Sequence, residues 1–155
     1  MAFHIVLIEP EIPNNTGNIG RLALAAGSHL HLVKPFGFEL SDKRLKRAGL
    51  DYWQYLSVSI YEDSVEFFAA HRDKKMAFFS SHGRQNHWSI AFEEEHFLIF
   101  GKESVGLPAA ITEKYADFLY QIPLFSEQIR SLNLANAVGI VVYEGLRQLS
   151  SKLPK

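Results

Sequence analysis

The sequence predicts an α/β fold, a mostly parallel sheet with helices on both faces, and three observations predict it. Short β-branched or aromatic runs alternate with helix-like segments along all 155 residues, the signature of repeated βα units. Several of the runs are apolar throughout, as strands must be when helices cover both faces of a parallel sheet. Hydrophobic residues make up 47% of the chain, enough for one core of ordinary size, and no repeat, low-complexity tract or linker interrupts the pattern. Residues 1–155 are therefore read as one domain.

The first strand is FHIVLI at 3–8. The first helix is predicted over 16–27, after IPNNTGNIG, where Asn15 or Thr16 has the short polar side chain of an N-cap and Gly17 and Gly20 permit close packing. Arg21 fits that account less well. It stands one turn past the glycines among Leu22, Ala23 and Leu24, and a guanidinium in apolar surroundings requires an anionic partner. HLHLV at 29–33 is the second strand, and a helix follows at 41–49, where Lys43, Arg44, Lys46 and Arg47 crowd four positive charges together. Such a run is ordinarily a solvated face; taken with Arg21 it becomes a candidate phosphate-contact patch.

LSVSIY at 56–61 and KMAFFS at 75–80 are strands flanking a helix at 63–71, and the preceding Tyr52, Trp53 and Tyr55 suit a core as well as a base-stacking surface. HFLIF at 96–100 runs into the glycine turn GKESVGLP ahead of a helix at 107–115, with Pro108 in its first turn. Gly101 and Gly106 have the spacing of two P-loop glycines, but Leu107 and Pro108 stand where that loop needs Lys and Ser/Thr, which excludes nucleoside-triphosphate hydrolysis. A glycine turn at the end of a buried strand is still where such a sheet brings backbone close to a ligand.

YQIPL at 120–124 is the last strand, and a polar loop leads through Ser131 and Asn133 into a helix at 132–150. One of these two residues suffices as an N-cap; a helix mouth with donors to spare also holds a polar small molecule. The final helix is apolar nearly all round for three turns and contains Gly139 and Gly145. Packing against both its own sheet and a partner subunit, with Tyr143 at the interface, would explain this, and a central core helix with two tolerated glycines would explain it equally well.

The chain has no cysteine, so disulfides and thiolate metal sites are excluded. No segment reads as a signal peptide or a bilayer span, and the expected location is the cytoplasm, away from membranes. A net charge of −1 leaves nucleic-acid binding to local patches. His29 and His31 share a strand face, but no third ligand is evident from spacing and no metal is expected.

Three segments taken in order, EPEIPNNTGNIGRLA, FGKESVGLPAAI, and QIPL followed by RSLNLANAVGIVVYE, resemble the three motifs of the SPOUT superfamily of RNA methyltransferases. Within it they are most similar to the TrmL (YibK-like) tRNA 2′-O-methyltransferases, which act on the first anticodon nucleotide. The resemblance extends through GFELSDKRLKRAGLDY and covers nearly the whole chain. It implies a C-terminal deep trefoil knot that binds S-adenosylmethionine, and a homodimer whose interface builds the active site. Nothing in composition or periodicity points to a knot, and the general prior is against one.

Carried over by motif, the methyl-donor pocket comprises Phe79, Gly101, Glu103, Gly106, Ile122, Ser131, Leu132 and Asn133. Asn15 and Arg21 match the family's Asn-x5-Arg signature and are expected at the reacting ribose. Lys43, Arg44, Lys46 and Arg47 would hold the anticodon stem-loop of the tRNA. The expected reaction is 2′-O-methylation of the wobble C or modified U, in leucine isoacceptors, giving S-adenosylhomocysteine without a metal. Ala135 departs from the Ser of many relatives, so that a water or Ser131 would have to take over the hydroxyl's work. The alternatives are another tRNA or rRNA position, or a knotted RNA-binding protein without catalysis.

Overall fold

The computed structural model describes residues 2–40, 43, 47 and 52–150. Among these, seven strands form one sheet: β1 (Phe3–Ile8), β2 (His29–Val33), β3 (Val58–Tyr61), β4 (Met76–Phe79), β5 (Gln85–Asn86), β6 (His96–Phe100) and β7 (Leu119–Gln121). The order is β3-β2-β1-β6-β4-β7-β5 and the strand pairs are parallel. Helices with described bounds accompany them, α1 (Pro13–Ala25), α2 (Ser64–Ala70), α3 (Ala109–Lys114) and α4 (Leu134–Ser150), and Lys43 and Arg47 are helical as well.

The period-2 alternation of each strand sorts its side chains into two cores. Phe3, Ile5 and Leu7 of β1 face Ile19 and Ala23 of α1 and Val138, Val141 and Val142 of α4. Val6 and Ile8 face the other way, with Phe67 of α2 and Ile111 of α3. Burying each such side chain contributes about 1.5–3 kcal/mol, and the apolar runs seen in sequence are what two covered faces require.

Predicted strands agree with observed ones to within about two residues except at the last, where the chain leaves the sheet after Gln121. β5, two residues long, is too short to carry a periodicity. α1 begins at Pro13, earlier than expected, so Asn15 and Thr16 lie inside its first turns and are not N-caps; the cap position is Ile12, which makes no side-chain cap bond. Pro108 is the N-cap of α3, one step before the helix proper.

Two of the four glycines of α1 and α4 are accounted for by close approach within the chain. A Cβ on Gly145 would come within 2.5 Å of the Phe3 ring, and one on Gly20 within 2.6 Å of the Trp53 ring. Trp53 is thereby a packing residue seated on α1. The last helix is buried against its own sheet, as expected, and leaves Ile140 and Tyr143 exposed on the opposite side.

Candidate active site

The C-terminal ends of β4 and β6, and the loop after β7, converge on a cavity of about 660 Å³, where an open parallel sheet places its ligands. Phe79 ends β4 and stacks on Phe100 at the end of β6, ring centroids 4.8 Å apart. Past β6 the chain folds back on itself: Lys102 and Gly106 each donate a backbone N–H to the other's carbonyl. Gly106 has φ +72°, a conformation that favours glycine. A Cβ on Gly101 would lie 2.1 Å from the Gly106 carbonyl carbon, so no larger residue fits there.

All eight residues expected at the methyl donor, Phe79, Gly101, Glu103, Gly106, Ile122, Ser131, Leu132 and Asn133, line this cavity together with Asn15. A larger groove, about 1020 Å³, lies against α2 and α3 and is lined by none of them.

Polar contacts tie the three segments together. The Glu103 carboxylate accepts backbone N–H bonds from Glu11 at 2.9 Å and Ile12 at 2.6 Å, and one from Asn15 Nδ2 at 3.4 Å. It thus holds the chain that enters α1 and puts negative charge near the positive end of the helix. In return Glu11 accepts from Ser104 through Oγ at 2.6 Å and N–H at 2.9 Å. Those bonds, with Lys102 nearby, hold the Glu11 carboxyl below its ordinary pKa. Asn15 Oδ1 accepts from Asn133 Nδ2 at 3.1 Å, so one buried asparagine touches the second and third segments at once. Glu103→Gln is expected to cost about 1–2 kcal/mol of stability, since a charged acceptor of two backbone donors just ahead of α1 is replaced by a neutral one; a urea unfolding midpoint identical to wild type would exclude that role.

Asn133 also resolves the choice left open at the mouth of α4. Its Oδ1 accepts from the Asn136 N–H at 3.2 Å and its carbonyl from the Ala137 N–H, which leaves Ser131 on the cavity wall. Ala135 packs on the apolar core and is not part of the lining. With Asn133 capping the helix, neither a water nor Ser131 has to replace a missing serine.

Arg21 does not join this cavity. It is exposed on α1, six residues beyond Asn15, with its guanidinium carbon 4.8 Å above the centre of the Tyr52 ring. Its partner among the described residues is thus an aromatic face, and not the anion expected from its apolar sequence neighbours. Lys43 and Arg47 are exposed and helical; Arg44 and Lys46 lie outside the described residues. The role of Tyr52 beneath Arg21 was missed in sequence, where only the shared richness in aromatics at 52–55 hinted at it.

Comparison with known proteins places the chain. Residues 2–143 match the model of the SpoU rRNA Methylase family. A protein of Escherichia coli named tRNA (cytidine(34)-2'-O)-methyltransferase is 43% identical, over 94% of this chain and 93% of its own length. One of Methylovorus glucosotrophus with the same name is 44% identical, over 94% and 95%. A solved structure described as "Structural insights into the 2-OH methylation of C/U34 on tRNA" superposes with a TM-score of 0.92 at 42% identity, covering 97% of each chain. An AdoMet-bound rRNA methyltransferase from Sinorhizobium meliloti gives 0.85 at 26% identity, covering 96% of this chain and 57% of that one. On the family match and the near full-length identity of these relatives, the chain belongs to the SpoU rRNA Methylase family.

Proposed function

We propose that the protein methylates the ribose 2′-oxygen of the wobble nucleotide of tRNA, a C or a modified U, using S-adenosylmethionine and acting as a cytoplasmic homodimer, with leucine isoacceptors as its substrates. The observation that carries this reading is the convergence of eight motif residues and Asn15 on one cavity. Among the described residues no helix is long and apolar enough to cross a membrane.

The lining suits a molecule with an apolar ring system and a zwitterionic end. Phe79, Ile122, Leu132 and Leu134 offer apolar walls, while Ser131, Asn133 and the glycine-turn backbone offer donors and acceptors. When bound there, S-adenosylmethionine supplies a sulfonium-activated methyl group. The remaining work falls to the chain: holding the acceptor oxygen in line and at near-attack distance, which supplies much of the rate. Asn15, fixed between Glu103 and Asn133, orients the ribose. Arg21 binds the ribose and its phosphate and stabilises the charge that develops on the 2′-oxygen. A guanidinium stays protonated, so the proton passes to phosphate or water.

The same geometry supports the dimer. Arg21 is absent from the lining of its own chain's cavity, so the arginine of one protomer serves the pocket of its partner. Exposed Ile140 and Tyr143 on α4 supply apolar area for such an interface. A knotted C-terminal path belongs to the proposal as well; it is supported by the tight passage of Tyr120 past Gly83, where a Cβ would lie 2.3 Å from the Tyr120 carbonyl carbon.

Methyl transfer to tRNA from a deletion strain, with the modified ribose located by mass spectrometry, tests the reading directly. Label at the wobble ribose is expected; label elsewhere, or none, would overturn the assigned target. A Lys43→Ala/Arg47→Ala double variant is expected to weaken tRNA binding and flatten its dependence on log salt by about 1–2 units, at about 0.7–0.9 per phosphate contact. An unaltered slope would remove these residues from the RNA surface.

A further inference from the structure

At the end of the sheet opposite the cavity, three imidazoles meet. His4 near the start of β1 is register partner to His29 at the start of β2, and His31 stands two residues further along the same face. The sequence shows only His29 and His31 together; strand pairing brings in the third ring. One ligand nitrogen of each can be chosen so that all three lie within 4.8 Å of one another. We propose that His4, His29 and His31 form a site for one divalent first-row transition metal ion of the zinc type.

Tetrahedral zinc holds imidazole nitrogens at about 2.0–2.1 Å, which sets them about 3.4 Å apart. His4 Nδ1 and His31 Nε2 are 2.8 Å apart, so that pair opens slightly around an ion while His29 closes in. The outer shell is already in place. His4 turns its other nitrogen, Nε2, to the Glu95 carboxylate at 2.5 Å, and His31 turns Nδ1 to the Tyr61 hydroxyl at 2.9 Å. Tyr61 in turn meets His71 Nε2 at 2.9 Å. A ligating histidine characteristically has its second nitrogen tied to a carboxylate or another oxygen, which fixes the ring and its tautomer. His29 sits between the hydroxyls of Ser57 at 2.8 Å and Ser59 at 2.7 Å; one of these stays as its outer partner and the other yields to the ion.

The donor set decides the class of metal. Three nitrogens without thiolate or carboxylate suit zinc, cobalt, nickel or copper, and not magnesium or calcium, which take oxygen. His31 is almost wholly buried, whereas His4 and His29 are only partly so, leaving a solvent-side position for water as fourth ligand. The ion would fasten β1 to β2 without touching the methyl-transfer site.

The test uses untagged full-length protein titrated with Co²⁺ and then Zn²⁺. One equivalent of Co²⁺ is expected to give the visible bands of a low-symmetry nitrogen site and to be displaced by Zn²⁺. His4→Asn and His29→Asn should each weaken binding by more than the roughly 10–100-fold expected of Glu95→Gln, which removes only an outer partner's charge. On wild-type protein alone, the ring ¹⁵N resonances of His4, His29 and His31 should shift with Zn²⁺, a readout that does not depend on how any variant folds. Absence of stoichiometric binding, unchanged affinity in both histidine variants, or shifts confined to other histidines would overturn the site.

Discussion

Arg21→Ala is expected to lower methyl transfer by at least about 10²–10³-fold, the loss that follows removal of one group stabilising charge in a transition state. S-adenosylmethionine affinity should stay within about twofold of wild type, because the loss is confined to the reacting state. The separation is possible because Arg21 is exposed and outside the lining of its own cavity. Truncating an exposed side chain of this kind ordinarily shifts stability by no more than about 0.5 kcal/mol, so the fold should survive. Single-turnover methylation and calorimetry on the same preparation give the two numbers. Wild-type turnover in Arg21→Ala would exclude the arginine from the chemistry. If cofactor binding fell in parallel with turnover, the residue would belong to the donor pocket instead.

Gly101→Ala should have the largest effect on the donor side. The added methyl would lie 2.1 Å from the Gly106 carbonyl carbon, 2.2 Å from the Leu107 nitrogen and 2.5 Å from the Gly106 oxygen. All three are backbone atoms, so no rotamer change relieves the clash and the turn itself must move. Overpacking costs about 1–3 kcal/mol and occasionally more, and here the displaced turn is the cavity wall. Cofactor binding is expected to be lost and the thermal midpoint to fall by several degrees, at about 2–4 °C for each kcal/mol in a domain of this size. Gly139→Ala provides the contrast: its Cβ would meet only Leu22 Cδ2 at 3.8 Å, an ordinary contact. A helix-interior Gly→Ala change then stabilises by about 1 kcal/mol. Equal behaviour of the two variants would show that the close approach at Gly101 does not govern the pocket.

What was legible in sequence and what was not divides along the range of the interactions. Fully apolar strands such as HFLIF at 96–100 are set by burial on both faces, a property of each run by itself, and they fall where periodicity puts them. The start of α1 was misread for the opposite reason. Asn15 or Thr16 looks like an N-cap, but the helix already begins at Pro13, and the chain entering it is held at Glu11 and Ile12 by the Glu103 carboxylate, some ninety residues away in sequence. Arg21 was read as sheltered because its neighbours are apolar; on a helix those neighbours point elsewhere. The histidine trio escaped for a related reason, since His4 joins His29 only through strand register. The eight donor-pocket residues were identified from motif resemblance, and their convergence is a matter of folding that spacing alone does not reveal.

Glu11 and Glu103 exchange hydrogen bonds that tie the entry of α1 to the glycine turn. A ligand that reshapes the turn therefore also does work on α1, and RNA that pulls on α1 does work on the turn. By thermodynamic reciprocity, whatever factor the methyl donor adds to RNA affinity, RNA must add to the affinity for the donor. The methyl donor and the RNA would thus answer to a common equilibrium, with Glu103, itself on the cavity wall, as the link between them.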